Sequence, residues 1–172
     1  MVDDPARTAT IRPSLMPPRT AAADPEPSST PPPNGPQEIY LKEIKSLSGN
    51  PNYKTLPVNG IEYINSLYAD VGQVCDPASR TFEYNIGKTY DWLRADIGIS
   101  DNSADPNKRV EFAVYLDGVK VFNRQLGLNE SFPLNVPVTN VLRLKLEQTY
   151  ITAKGCTQGY NVWGSVRLVV DP

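Results

Sequence analysis

The chain has 172 residues with 17 Pro, 11 Gly, 9% aromatic and 21% charged residues, a formal net charge of −2, and no histidine. The missing imidazole excludes Ser/His/Asp and Cys/His nucleophilic sites and His-containing zinc or haem sites, and two cysteines cannot complete a four-thiolate zinc site. Residues 37–172 hold 14 Lys plus Arg against 15 Asp plus Glu, so nothing supplies the basic field that nucleic-acid backbone binding needs.

Residues 1–36 contain ten of the prolines and none of the fifteen Phe, Trp and Tyr. A segment without aromatics cannot bury enough apolar surface to offset its ordering entropy, so a disordered, Pro-rich linker is expected there. Residues 37–172 have the size of one domain. No run of 18 apolar residues is present and the N-terminus lacks a signal-peptide core, so no membrane span is expected. A Pro-rich leader before a β-domain is the layout of a stalk, which points to an extracellular or cell-surface setting.

From Gln37 onward, short alternating segments are separated by turn residues, and no 3.6-residue period is sustained. Residues 39–44 read as a first strand. Residues 60–63 read as a short second one after the Asn59-Gly60 turn signal. Residues 81–86 alternate strictly and place Phe82, Tyr84 and Ile86 on one face. Residues 92–99 turn Leu93, Ala95, Ile97 and Ile99 inward, and Trp92, Arg94 and Asp96 outward.

Val110, Phe112, Val114 and Leu116 alternate up to Asp117-Gly118, a dipeptide suited to the positive φ values of a type I′ hairpin turn. Residues 119–126 then form the returning strand. Residues 132–138 read as an edge strand, since Pro133 and Pro137 lack donors. Leu142, Leu144 and Leu146 give another inward face, and residues 162–170 close the domain. Eight or nine strands in this length indicate an all-β, jelly-roll β-sandwich. Cys75 and Cys156 lie 81 positions apart without the strand setting of an immunoglobulin bridge.

Taken in order, FEYNIGKTYDWLRADIGISDNSAD, RVEFAVYLDGVKVF, PLNVPVTNVLRLKLEQTY and a last strand containing Trp163 resemble the NPCBM family of carbohydrate-binding modules; Asn59, Gly60 and Tyr63 match its leading NG-x-x-Y element. The resemblance spans residues 39–170. It implies a galactose-binding-like jelly roll and, by analogy, glycan binding.

Sugar recognition needs flat aromatic faces and planar polar side chains on a rigid frame. Tyr90, Trp92, Tyr160 and Trp163 are the candidate rings, with Asp101, Asn102 and Asp105 as polar partners in an adjoining loop. The competing reading puts Trp92 and Trp163 in the core, because Trp is highly buried on average. The oxygen-rich loop 100–107 offers a possible Ca²⁺ site at Asp101 and Asp105, although Pro106 and Phe112 stand where an EF-hand needs Gly and Glu; the alternative is an Asx-type turn. Two loop cysteines in an exported protein point to a Cys75–Cys156 disulfide.

The function these features favour is a non-catalytic carbohydrate-binding module for a cell-surface or extracellular glycan. The alternative is a structural or protein-interaction ectodomain using the same sandwich without sugar. An exposed aromatic beside planar polar groups in a groove separates the first from the second.

Overall fold

Strict alternation in residues 81–86, 92–99 and 109–116 gives each segment one apolar face, and stacking sheets removes all three from water. The computed structural model describes residues 37–70, 79–152 and 159–171, and shows two antiparallel sheets over one core. One sheet runs in the order β3 (Asn52–Val58), β4 (Ile61–Asp70), β11 (Tyr160–Val170), β6 (Trp92–Ile99), β9 (Ser131–Pro137), with β1 (Gln37–Tyr40) also paired to β11. The other runs β2 (Ser46–Ser48), β5 (Ser79–Asn85), β10 (Arg143–Thr152), β7 (Arg109–Leu116), β8 (Val119–Gly127). From β4 to β7 and again from β8 to β11 the chain changes sheet at every connection, which is jelly-roll topology. Among the described residues no helix is long and apolar enough to cross a membrane.

Phe82, Tyr84, Leu93, Ala95, Ile97, Val110, Phe112, Val114, Leu144 and Leu146 all point into the core, as their alternation requires. Asn59-Gly60 (φ 50° and 77°) and Asp117-Gly118 (φ 48° and 88°) form the two tight hairpin turns. Among the described residues eleven strands are present where turn signals separate eight or nine. The run 39–44 ends at Tyr40, and a single 3₁₀ turn, Leu41–Glu43, drops Leu41 into the core. Leu142 precedes β10 and stays exposed, because its N–H and that of Arg143 bond to the Asp117 carboxylate and hold it at the surface. The linker expected over 1–36 and the Cys75–Cys156 bridge lie outside the described residues.

The β3–β4 hairpin is bent over the outer face of its own sheet. Asn65 (φ 52°) in β4 and Ser165 (φ 46°) in β11 both take left-handed conformations, register slips beside each, and the Ser165 hydroxyl donates to the Ile64 carbonyl at 3.0 Å. The hairpin tip thereby crosses β11: Val58 bridges Ser100, and the Asn59 amide reaches Ser131 at the start of β9. Beneath this flap Leu56, Val58 and Val162 form a second small buried cluster, flanked by Tyr63, Tyr68 and Tyr160.

Candidate functional site

Alternation along β6 sends Trp92, Arg94 and Asp96 to the outer face, and the β6–β9 register sets them opposite Pro137, Asn135 and Pro133. In β11 the slip at Ser165 turns Val166 and Leu168 inward and leaves Arg167 on the outer side. These strands enclose a hollow of about 220 Å³ lined by Arg94, Asp96, Pro133, Asn135 and Arg167. The flap brings one ring close to these residues. Tyr63, half-buried, lies against Gly164 and near Asp96; a Cβ on Gly164 would stand 2.8 Å from Tyr63 Cγ and 2.9 Å from the Asp96 carbonyl oxygen.

The polar groups of the hollow are unevenly engaged. Arg167 Nε faces Glu38 at 3.1 Å, and its Nη1 donates to the Ser165 carbonyl at 3.1 Å. Arg94 Nε donates to Asn135 Oδ1 at 3.4 Å, and its Nη2 lies 4.0 Å from Asp171. Asp96 has no ion pair within 4 Å and accepts no hydrogen bond from the described residues. Partial burial raises its carboxyl above the usual carboxylate range, with the Arg167 charge pulling the other way. Desolvation likewise raises the Tyr63 hydroxyl, reinforced by Asp96. Two larger hollows, one beside Gly49, Asn52 and Arg80 and one beside Glu83, Asp117 and Lys145, are lined by no exposed ring.

The residues singled out from sequence are dispersed. Trp163 is fully buried, edge-on to Phe112 at 5.3 Å, and so belongs to the core. Trp92 is half-buried at the margin of the outer face, its indole N–H donating to Asp171 Oδ2 at 2.6 Å, while Tyr90 packs against the core. Tyr160 lies under the Lys54 ammonium, 3.6 Å from the ring centre, and edge-on to Tyr68. Trp92 and Asp101 stand at opposite ends of β6, roughly 30 Å apart at the usual strand rise, and cannot share one site.

In the 100–108 loop the two acids are engaged differently. Asp101 Oδ1 and Oδ2 accept from the Asn59 and Gly60 N–H groups at 2.8 and 2.9 Å, pinning the flap, and Asn102 beside it is exposed. Asp105 is buried, accepts from the Asn107 N–H at 2.9 Å, and faces the buried ammonium of Lys108. Burial pushes that ammonium down to about 8 against the pull of Asp105. Calcium takes six to eight oxygens from carboxylates, amides and carbonyls. Here one carboxylate is spent on N–H groups and the other sits beside a cation, and no group of three or more acidic, Cys or His residues gathers among the described residues.

Sequence reasoning names Tyr63 only as part of the NG-x-x-Y element, not as a binding residue, and passes over Asn135 and Arg167. Arg94 and Asp96 were assigned to the correct face, but only the register of three strands and the bent flap shows what they meet.

A jelly-roll sandwich whose open sheet face carries a ring beside planar polar groups has the architecture of a carbohydrate-binding module. The chain belongs to the NPCBM/NEW2 domain family, whose profile matches residues 47–169. No curated protein matches the chain. Among solved structures, it is similar to the CBM51 from Clostridium perfringens GH95 in complex with methyl-galactose, with a TM-score of 0.59 and 20% identity, covering 77% of this chain and 99% of that one. It is similar to the structure of the M60 catalytic domain with CBM51-1 and CBM51-2 from Clostridium perfringens ZmpB, with a TM-score of 0.63 and 19% identity over 79% of this chain and 15% of that one. The tandem CBM51 modules of Sp3GH98, the family 98 glycoside hydrolase from Streptococcus pneumoniae SP3-BS71, give a TM-score of 0.60 and 12% identity over 80% of this chain and 48% of that one. At these identities the likeness concerns the fold, and the chain spans less than half the length of the last two.

Proposed function

We propose that the protein is a non-catalytic module that binds an extracellular or cell-surface glycan in the hollow between the flap and the outer face of β6, β9 and β11. The observation that carries this reading is a hollow lined by Arg94, Asp96 and Asn135 with the partly exposed Tyr63 ring nearby, against Gly164 and close enough to Asp96 to feel its charge. A pyranose offers an apolar C–H face to a ring and hydroxyls that both donate and accept, and the hollow supplies a carboxylate acceptor with guanidinium and amide donors. Relatives solved with methyl-galactose and with GlcNAc support the glycan class.

Cleavage would need a second carboxylate acting opposite the first. Glu38 and Asp171, which lie beside the hollow's arginines, are each turned toward one of them. Affinity in so shallow a site should lie in the micromolar to millimolar range, on the order of what one stacked ring and a few hydroxyl contacts support once both sides shed water. A glycan array followed by titration calorimetry tests this, with Tyr63→Ala expected to abolish the heat and Asp96→Asn to weaken binding without abolishing it, both melting as the native protein does. The alternative reading, a protein-interaction ectodomain, draws on Val119 and Val121, 65% and 47% exposed on edge strand β8. It takes over if every glycan is silent. Incubation with any bound oligosaccharide should release no new reducing ends.

A further inference from the structure

We infer that Asp96 makes the hollow a charge filter, admitting neutral sugars and turning away sugars that carry a carboxylate. The inference rests on the glycan reading above and adds the residue that sets its selectivity.

Two arginines on a binding surface ordinarily invite acids, because a guanidinium fork matches a carboxylate. Here both are already answered. Arg167 Nε lies 3.1 Å from Glu38, a charge contact without hydrogen-bond geometry, and Arg94 lies 4.0 Å from Asp171, so each positive charge in the hollow is offset by a carboxylate outside it. Asp96 is left over. It lines the hollow, it is half-buried, and neither an ion pair within 4 Å nor a hydrogen bond from the described residues engages it. The balance around the hollow is thus three carboxylates against two guanidiniums.

An unengaged carboxylate needs donors. Sugar hydroxyls supply them, and the resulting charge-assisted bonds are stronger than those between neutral groups. A uronic acid presents at its sixth carbon a group with no hydrogen to give and a like charge, a juxtaposition that interfaces use to reject partners. Arg94 and Arg167, each already offset by Asp171 or Glu38, offer it a weakened attraction.

Two matched pairs of probes differ only in the oxidation of that carbon: methyl β-D-galactopyranoside with methyl β-D-galactopyranosiduronate, and the two glucose counterparts. At low ionic strength the neutral member of the pair that binds should do so about tenfold more tightly than its acid, a gap that narrows in about 0.5 M salt as charges are screened. Asp96→Asn keeps the size and one acceptor oxygen while removing the charge, and should bring the two members within about twofold of each other. Arg94→Gln, which leaves Asp171 unanswered, should widen the gap. Equal affinity for both members in the native protein, or an unchanged ratio in Asp96→Asn, overturns the filter while leaving the glycan reading in place. Silence of all four sugars toward the folded protein overturns the glycan reading at this hollow, and the filter with it.

Discussion

The ring of Tyr63 rests on the bare backbone of Gly164, so the position of the flap's ring depends on a residue in another strand having no side chain. Gly164→Ala would place its methyl 2.8 Å from Tyr63 Cγ and 2.9 Å from the Asp96 carbonyl oxygen, tighter than real contacts allow. The expected cost is about 1–3 kcal/mol, typical of overpacking, with glycan binding lost as the ring is displaced. Adding Tyr63→Ala should recover part of the stability and none of the binding; urea melts of the single and double variants measure both.

Trp163 and Trp92 should behave oppositely on truncation. Trp163 is fully enclosed against Phe112, so Trp163→Ala should cost about 3–5 kcal/mol, as for other large core side chains. Trp92→Ala leaves a half-buried margin and one broken bond to Asp171, so a loss of about 1–2 kcal/mol is expected in denaturant titrations.

The flap is pinned at its tip by one carboxylate. Asp101→Ala removes two charge-assisted bonds to the turn at Asn59 and Gly60, with an expected cost of about 1–3 kcal/mol. Hydrogen exchange should accelerate at the hairpin amides of residues 56–63 and stay unchanged in β7 and β10.

Lys108 gives stability a rising component at alkaline pH. Its ammonium is held near 8 in the fold against 10.5 when free. Below pH 8 both states keep the proton and the burial penalty is constant. Between pH 8 and 10.5 the unfolded chain still holds a proton that the fold has shed, so stability rises with pH, by at most about 3 kcal/mol. The difference between native and Lys108→Met unfolding free energies should therefore change across this window and be flat below it.

Much of the fold is legible because one face of each strand is apolar. Phe82, Tyr84 and Ile86 or Val110, Phe112 and Val114 admit one orientation only. β3 is illegible for the converse reason: Asn52–Val58 is interrupted by Pro57 and packs partly against its own sheet under a flap whose bend rests on left-handed Asn65 and Ser165. The same flap covers β11 on its second side, so Val162 and Trp163 are equally buried and alternation could not say which faced the core. The site suffers most. Arg94 and Asp96 follow from one strand's period, whereas Tyr63, Asn135 and Arg167 arrive from three distant segments, aligned by register slips that no local pattern announces.

The folded-over hairpin also bears on how separate copies coexist at high concentration. A sheet whose outermost strands lie flat offers unpaired N–H and C=O groups to any neighbour, which is how ordered aggregates begin. In the six-stranded sheet, one margin is β3, carrying Pro57 and bent off the plane; the other is β9, where Pro133 and Pro137 lack donors. Both of these margins are poor templates for a further strand, so the geometry that brings Tyr63 over the outer face also disfavours edge-to-edge growth at β3.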